Sequence, residues 1–294
     1  MDKHIGIFLF QKNEFDLFPL FVEYYGSLFG YQNIFVFDND SDTEMKPLLL
    51  QAESLGVNVK YGIIGSEGFE RKGEIIGDEM NRYMDKFEVV VPIDCDEFLA
   101  LKTAPNKYTC DRKVLLDYLY SLEPGVHRIS DSHRLKNHYS SHTIFYRTNN
   151  GSGKLLFKKH LVSKLHLGYH DCEEYTKSGH RLPLGKEKLP DSKLCYFELH
   201  NKPYELYYKH AYAKMNHRVD LKSEKSLLSH TGLGLHIIRF LGKNGKSTYY
   251  NTFRGKDYIY SDILQKKFSS LETKVPSYFS IMNGKDNVPA KEVI

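Results

Sequence analysis

The stretch FEVVVPIDCDEFLAL at residues 87–101 constrains the chain more than any other. Val89, Val90, Val91 and Ile93 form a short apolar run of the kind that makes a strand buried on both faces. Asp94, Cys95, Asp96 and Glu97 follow at once. Carboxylates at the end of a buried strand are costly unless a cation stands among them. In open α/β sheets that edge is where ligands bind. An Asp-x-Asp there can hold a hard divalent ion, which can bridge to nucleotide phosphates. Taken alone, the motif reads equally well as an acid-rich surface turn. Cys95 points the other way, into the core, by strand alternation.

The 294 residues suit one large domain, or one domain with a C-terminal elaboration. Lys and Arg number 41 against 37 Asp and Glu, and a net charge of +4 is too small for a nucleic-acid binder. It permits attraction to anionic substrates or a lipid surface. The 22 tyrosines suit stacking on bases or sugar rings, or ordinary half-buried packing. Four widely spaced cysteines (Cys95, Cys110, Cys172, Cys195) form no Cys-x-x-Cys pair, which points to reduced thiols in a cytosol-like compartment. The opening MDKHIGIFLFQKNE lacks a cleavage-site pattern, and no stretch reaches membrane-span length. The expectation is a soluble cytoplasmic protein, with peripheral contact at the inner face of a membrane left open.

Apolar strand patterns at Ile5–Phe10, Ile34–Phe37 and Val57–Tyr61 alternate with helical ones. The first helix opens near Asp16 and Pro19, carries Phe21, Tyr24, Tyr25 and Leu28 on one face, and ends at Gly30. The run from Asp38 to Asp42 reads as a turn and helix N-cap, and Gly56 stops the helix that follows. A polar loop is expected from Gly65 to Gly73, then a helix with Ile76, Met80, Tyr83 and Phe87 on its buried stripe. This is the βαβ rhythm of a mostly parallel, Rossmann-like α/β sheet with helices on its faces. The loops after parallel strands share one edge, which places Asn13, Glu14, Asp38, Asp42, Arg71, Lys72, Asp94 and Asp96 around one cleft.

Further on, Leu115, Tyr118, Leu119 and Leu122 mark one more helix, and short alternating runs at Thr143–Arg147, Leu155–Lys159 and Leu161–His166 read as antiparallel strands. Asn149 to Gly153 is a turn, and His170 to Leu189 a candidate lid. Leu194–Leu199 is a strand, apolar except for Glu198, that ends in His200. Pro203 starts a helix with Tyr204, Tyr208, Ala211 and Met215 on one face, Tyr258–Leu271 is a last helix, and the tail from Gly284 frays.

Asn13-Glu14 after the first strand, Asp38-Asn39-Asp40-Ser41-Asp42 after the second, and Asp94-Cys95-Asp96-Glu97-Phe98 together resemble the GT-A glycosyltransferases, most closely the family-2-like group related to family 92. The resemblance covers roughly the first hundred residues. It implies a GT-A fold, with residues 1–110 as the nucleotide-sugar-binding half and 111–294 as the acceptor-side half of the same domain. It also implies a nucleotide-sugar donor, a UDP-sugar foremost. Asp38 would lie near the nucleoside, and Asp94 and Asp96 would serve ribose and metal. Arg71 and Lys72 would contact the donor. His200-Asn201-Lys202-Pro203 looks like a shortened form of the family's His-containing motif, so His200 would complete the metal shell and Lys202 or Lys209 would reach the diphosphate. Asn201 and Pro203 depart from that motif's aromatic and Ser. The metal would be Mn²⁺ or Mg²⁺, and the acceptor a glycan, a lipid-linked sugar or a glycoprotein.

Such a transfer needs the leaving diphosphate neutralised, the acceptor hydroxyl deprotonated and water kept out. The family is mostly inverting, which implies one base. Asp171, Glu173 and Glu174 are its candidates, Asp171 first. The rivals are a sugar-phosphate nucleotidyltransferase, which calls for a Gly-rich basic loop where Gln11-Lys12-Asn13-Glu14 stands, and a catalytically idle binding module. Gly242–Ser247 fails as a P-loop because Phe240 occupies the first Gly position. His127, His133, His138 and His142 lack tight metal spacing and are expected at the surface or lining the acceptor side.

Overall fold

A computed structural model of the chain describes residues 4–272 and 274, apart from 64, 130–133, 149–152, 163, 176–180, 185–188, 190, 217 and 233. The tail from Gly284, the 149–152 turn and His133 therefore lie outside the described residues. The chain runs β1 (Ile5–Gln11), α1 (Phe18–Phe29), β2 (Ile34–Asp38), α2 (Lys46–Ser54), β3 (Asn58–Lys60), α3 (Gly65–Glu70), α4 (Lys72–Tyr83) and β4 (Val89–Pro92). It continues through β5 (Glu97–Ala104), β6 (Lys107–Thr109), α5 (Arg112–Ser121), β7 (Gly125–Ile129), β8 (Arg134–Asn137), β9 (Ile144–Arg147) and β10 (Lys154–Lys158). Then come β11 (Lys164–Leu165), β12 (Cys172–Tyr175), β13 (Arg181–Pro183), β14 (Asp191–Ser192) and β15 (Leu194–Glu198). The last elements are α6 (Tyr204–Met215), α7 (Glu224–Ser229), α8 (Leu235–Ile238), α9 (Gly245–Asn251), β16 (Tyr258–Tyr260) and α10 (Asp262–Glu272).

The fold is mixed α/β. Strands β3, β2, β1 and β4 lie parallel and side by side, as the βαβ rhythm predicts. Strands β10, β7 and β14 from the second half extend this sheet to seven strands, with β10 antiparallel to β4. The sequence pattern predicts one mostly parallel sheet, but the chain builds two larger ones. The second has six strands in the order β16-β9-β8-β15-β5-β6. The switch falls between β4 and β5, so the acidic run 94–97 crosses from one sheet to the other. Strand β15 lies beside β5 and β8, not beside β4.

Alternation along β1 divides the core. Ile5, Ile7 and Leu9 face α1 and the second sheet, while Phe8 and Phe10 face α4 and β10. The α1 stripe Phe21, Tyr24, Tyr25 and Leu28 is fully buried, and Gly30 ends the helix with φ of 95°. Tyr24 Oη donates to Leu99 O at 2.7 Å and Tyr25 Oη to Glu97 O at 2.9 Å, which fixes β5 against the helix.

Several elements differ from the sequence pattern. Residues expected as a polar loop, Gly65 to Gly73, form α3 and the start of α4. Gly73 is required at that junction, because a Cβ there would lie 1.9 Å from Leu165 O. Within the candidate lid, β12 and β13 join β11 in a three-stranded antiparallel sheet, so backbone pairing replaces the expected loop. Residues 258–260 form a strand on β9, and the last helix begins only at Asp262. The buried face of α6 is Tyr207, Ala211 and Met215, with Tyr208 at the surface. Asp42 stands at the N-cap of a 3-10 turn, but its side chain makes no capping hydrogen bond. His127 and His138 are buried rather than at the surface: His127 bonds Glu123 O, and His138 packs on Tyr139, Phe253 and Tyr258. Among the described residues no helix is long and apolar enough to cross a membrane.

Candidate active site

The parallel strands end at one edge, and three charged groups meet there. The first links the loops after β1 and β2. Asn13, at φ 56°, donates from Nδ2 to Asp42 Oδ2 at 2.9 Å and accepts Asp42 N–H on Oδ1 at 2.7 Å. Asp38 is buried and accepts from Gln11 Nε2 at 2.5 Å and from Ser41 N–H at 3.2 Å. Asn13, Asp38 and Asp42 are thus brought together, with their polar atoms engaged in joining two loops. Close by, Lys202 Nζ lies 2.5 Å from Asp16 Oδ2, and both side chains are buried. Burial alone would raise the Asp16 carboxyl, but the Lys202 ammonium overcomes it and holds the group below its ordinary range. Lys202, expected together with Lys209 as a candidate to reach a diphosphate, pairs with Asp16. Glu14 sits beside this pair, and desolvation pushes its carboxyl up to about 7 against the pull of Lys202.

The second group surrounds Asp94. Lys72 Nζ donates to Oδ1 at 2.5 Å, and Lys154 Nζ donates to Oδ2. Lys154 also lies 3.3 Å from Glu97 Oε2. Burial would raise the Asp94 carboxyl, yet the two ammoniums hold it far below the ordinary range. The Asp94 carboxylate, expected as a metal ligand, is therefore bonded to two lysines. Arg71 parts from its neighbour Lys72. It is exposed and pairs with Glu74 at 3.1 Å, because it precedes the first turn of α4 while Lys72 turns inward.

The third group joins the two halves of the chain. Antiparallel pairing of β15 with β5 sets Glu198 opposite Glu97, and Leu199 N–H donates to Asp96 O at 2.7 Å. His200 Nδ1 comes to 3.2 Å from Asp96 Oδ2. Asp96, Glu198 and His200 present ligand atoms within 4.8 Å of one another, and Asp96 and His200 remain partly exposed. Such a cluster can hold a cation. Glu198 is fully engaged, however: Arg134 bonds both its oxygens, and Lys136 Nζ lies 3.2 Å from Oε1. Lys136 and Arg134 hold the Glu198 carboxyl well below its ordinary range in spite of burial.

The loop that delivers His200 is rigidly held. Asn201 exchanges three hydrogen bonds with Asn137, through Asn137 Nδ2 to Asn201 O (2.8 Å), Asn201 N to Asn137 Oδ1 (2.9 Å) and Asn201 Nδ2 to Asn137 O (2.6 Å). Tyr249 Oη donates to Lys202 O at 2.7 Å. These bonds make Asn201 a structural anchor of the loop. Asp171 comes just before β12, and its carbonyl accepts His166 N–H at 2.9 Å.

Sequence reasoning missed Glu198 as part of this site, along with Arg134, Lys136, Lys154 and Asp16. Glu198 did carry a signal, as the one polar residue in an apolar strand. Lys154 and Lys158 likewise stand at the two ends of another buried strand.

No protein-family model matches the chain, and no curated protein matches it in sequence. Among solved structures, residues 1–349 of S. aureus TarS share 11% identity over 95% of this chain and 81% of that one, with a TM-score of 0.32. The same protein in complex with UDP-GlcNAc gives 11% identity, 95% and 79% coverage, and a TM-score of 0.33. A cytidylyltransferase from Leptospira borgpetersenii serovar Hardjo-bovis gives 13% identity and a TM-score of 0.29, and the match spans 54% of this chain and 61% of that one. These likenesses are distant, and the functional reading rests on the residues of the site.

Proposed function

We propose that the protein is a metal-dependent glycosyltransferase that moves a sugar from a nucleoside-diphosphate sugar, a UDP-sugar foremost, to a glycan, lipid-linked or glycoprotein acceptor with inversion. The observation that carries this reading is the 3.2 Å approach of His200 to Asp96, a carboxylate and an imidazole brought together at the strand edge from distant parts of the chain. A carboxylate with an imidazole is a donor set suited to Mn²⁺, and both side chains are open to solvent. Asp96 and His200 would hold the ion, and a bound ion would neutralise the charge that develops on the leaving diphosphate.

The rest falls to the chain's own groups. The clasped loops carrying Asn13, Asp38 and Asp42 would receive the nucleoside, with Glu14, Arg71, Lys72 and Asp94 at the edge of the donor cleft. Asp171 would accept the proton of the attacking hydroxyl, and the small sheet β11-β12-β13 would shield the donor from water. A nucleotidyltransferase is less favoured, because the loop after β1 is fixed by Asn13, Ser41 and Asp42 and is not basic and glycine-rich.

The reading is tested by incubating the purified protein with a panel of nucleotide sugars and Mn²⁺. Slow release of nucleoside diphosphate, abolished by EDTA and by Asp96→Ala, is expected. Undiminished release in EDTA would remove the metal from the reaction. Release of pyrophosphate from a nucleoside triphosphate and a sugar phosphate would favour the nucleotidyltransferase.

A further inference from the structure

Asp94 and Asp96 belong to one Asp-x-Asp, but their side chains have different partners. The two oxygens of Asp94 are taken by different lysines, Oδ1 by Lys72 at 2.5 Å and Oδ2 by Lys154. The lysine side chains are 8% and 3% exposed, so both ammoniums are cut off from bulk water. The centre of the Tyr169 ring lies 4.3 Å from Lys72 Nζ and 5.0 Å from Lys154 Nζ, so its π face lies against both ammoniums. Asp96, two residues on, faces His200.

We propose that Lys72 and Lys154 are positioning residues that withhold Asp94 from the metal, leaving Asp96 and His200 as the side chains that take a divalent ion. The proposal rests on the metal-dependent reading above and adds the selection between the two aspartates. Its physical basis is the cost of an uncompensated buried charge. If Asp94 turned toward a cation, Lys72 would lose the carboxylate that it touches, and Lys154 would keep Glu97 alone among the described residues. A cation brought to Asp94 would also meet two ammoniums at hydrogen-bond range of the same carboxylate. The sequence distance between the clamp's members hides it: Lys72 opens α4, and Lys154 opens β10 on the far side of β4.

The test is Mn²⁺ binding to the intact chain without nucleotide, read from the electron paramagnetic resonance signal of free Mn²⁺. Asp96→Asn is expected to weaken binding by about tenfold or more, the scale of loss at metal sites, while Asp94→Asn stays within about twofold of the parent. Lys154→Met frees one oxygen of Asp94 and is expected to tighten Mn²⁺ binding, and the double variant Lys154→Met/Asp94→Asn should return to the parent affinity. Equal weakening by Asp94→Asn and Asp96→Asn would overturn the proposal. So would a folded Lys154→Met variant that binds Mn²⁺ no more tightly than the parent. Should Lys154→Met fail to fold, the two aspartate variants decide the matter by themselves, with Lys72→Met/Asp94→Asn, which strands no ammonium at residue 72, standing in for Asp94→Asn if that variant does not fold. Parent protein that binds no Mn²⁺, or binds it equally well as Asp96→Asn, would instead fail the metal reading and take this proposal with it.

Discussion

At the residue scale, Asp38 shows how a carboxylate placed for a ligand also holds the fold. It is buried and accepts from Gln11 Nε2 and Ser41 N–H, so removing it leaves both donors short of a partner. Asp38→Ala is expected to cost about 1–3 kcal/mol of stability, seen as a lower urea midpoint at unchanged slope. An unchanged midpoint would mean that solvent replaces both bonds at no cost. Glu14 gives a pH signature. Its carboxyl is pushed up from an ordinary 4.5 to about 7, chiefly by desolvation. Between those values the folded protein binds more protons than the unfolded chain, so this group's contribution falls as pH rises through that window. Glu14→Gln should therefore flatten the loss of thermal stability between acid and neutral pH. Parallel profiles for the two proteins would contradict the shift. Asp16, Asp94 and Glu198 have the opposite sign: their stabilisation is present above the ordinary carboxylate range and lost as pH falls. Asp96 and His200 were legible from the order of their motifs. The lysines on Asp94 were not, because only tertiary pairing brings residues 72, 94 and 154 together.

At the element scale, the periodic stripes of α1 and the end of α4 were readable, because burial of one helix face imposes its spacing on the sequence. The partition of strands between two sheets was not. Strand pairing is a choice among distant partners, and short runs such as Arg134–Asn137 carry too little pattern to fix one. The same limit hid α3, whose residues GSEGFE read as a loop. Tight contact between α4 and β11 depends on Gly73, since a Cβ there would meet the carbonyl of Leu165 at 1.9 Å. Gly73→Ala is expected to destabilise the protein by about 1–3 kcal/mol through overpacking against backbone that cannot yield easily. A variant as stable as the parent in denaturant would show that α4 can shift, and with it Lys72.

At the scale of the whole molecule, two sheets meet where the chain passes from β4 to β5, and the candidate site lies on that crossing. The seven-stranded sheet contributes the clasped loops and Asp94; the six-stranded sheet contributes Glu97, Glu198 and the approach to His200. In the cation cluster, the charge of Glu198 is countered by Arg134 and Lys136. A divalent ion is expected to bind the cluster alone and more tightly with a nucleoside diphosphate, whose phosphates add ligand oxygens and negative charge. The most direct test is a thermal-denaturation matrix of UDP, Mn²⁺ and EDTA on the parent protein and Asp96→Ala. UDP with Mn²⁺ is expected to stabilise the parent, by about 2.7 kcal/mol at about a hundredfold excess over Kd, while UDP in EDTA does so far less and Asp96→Ala responds to neither. Equal stabilisation by UDP in Mn²⁺ and in EDTA, or an undiminished response in Asp96→Ala, would contradict it.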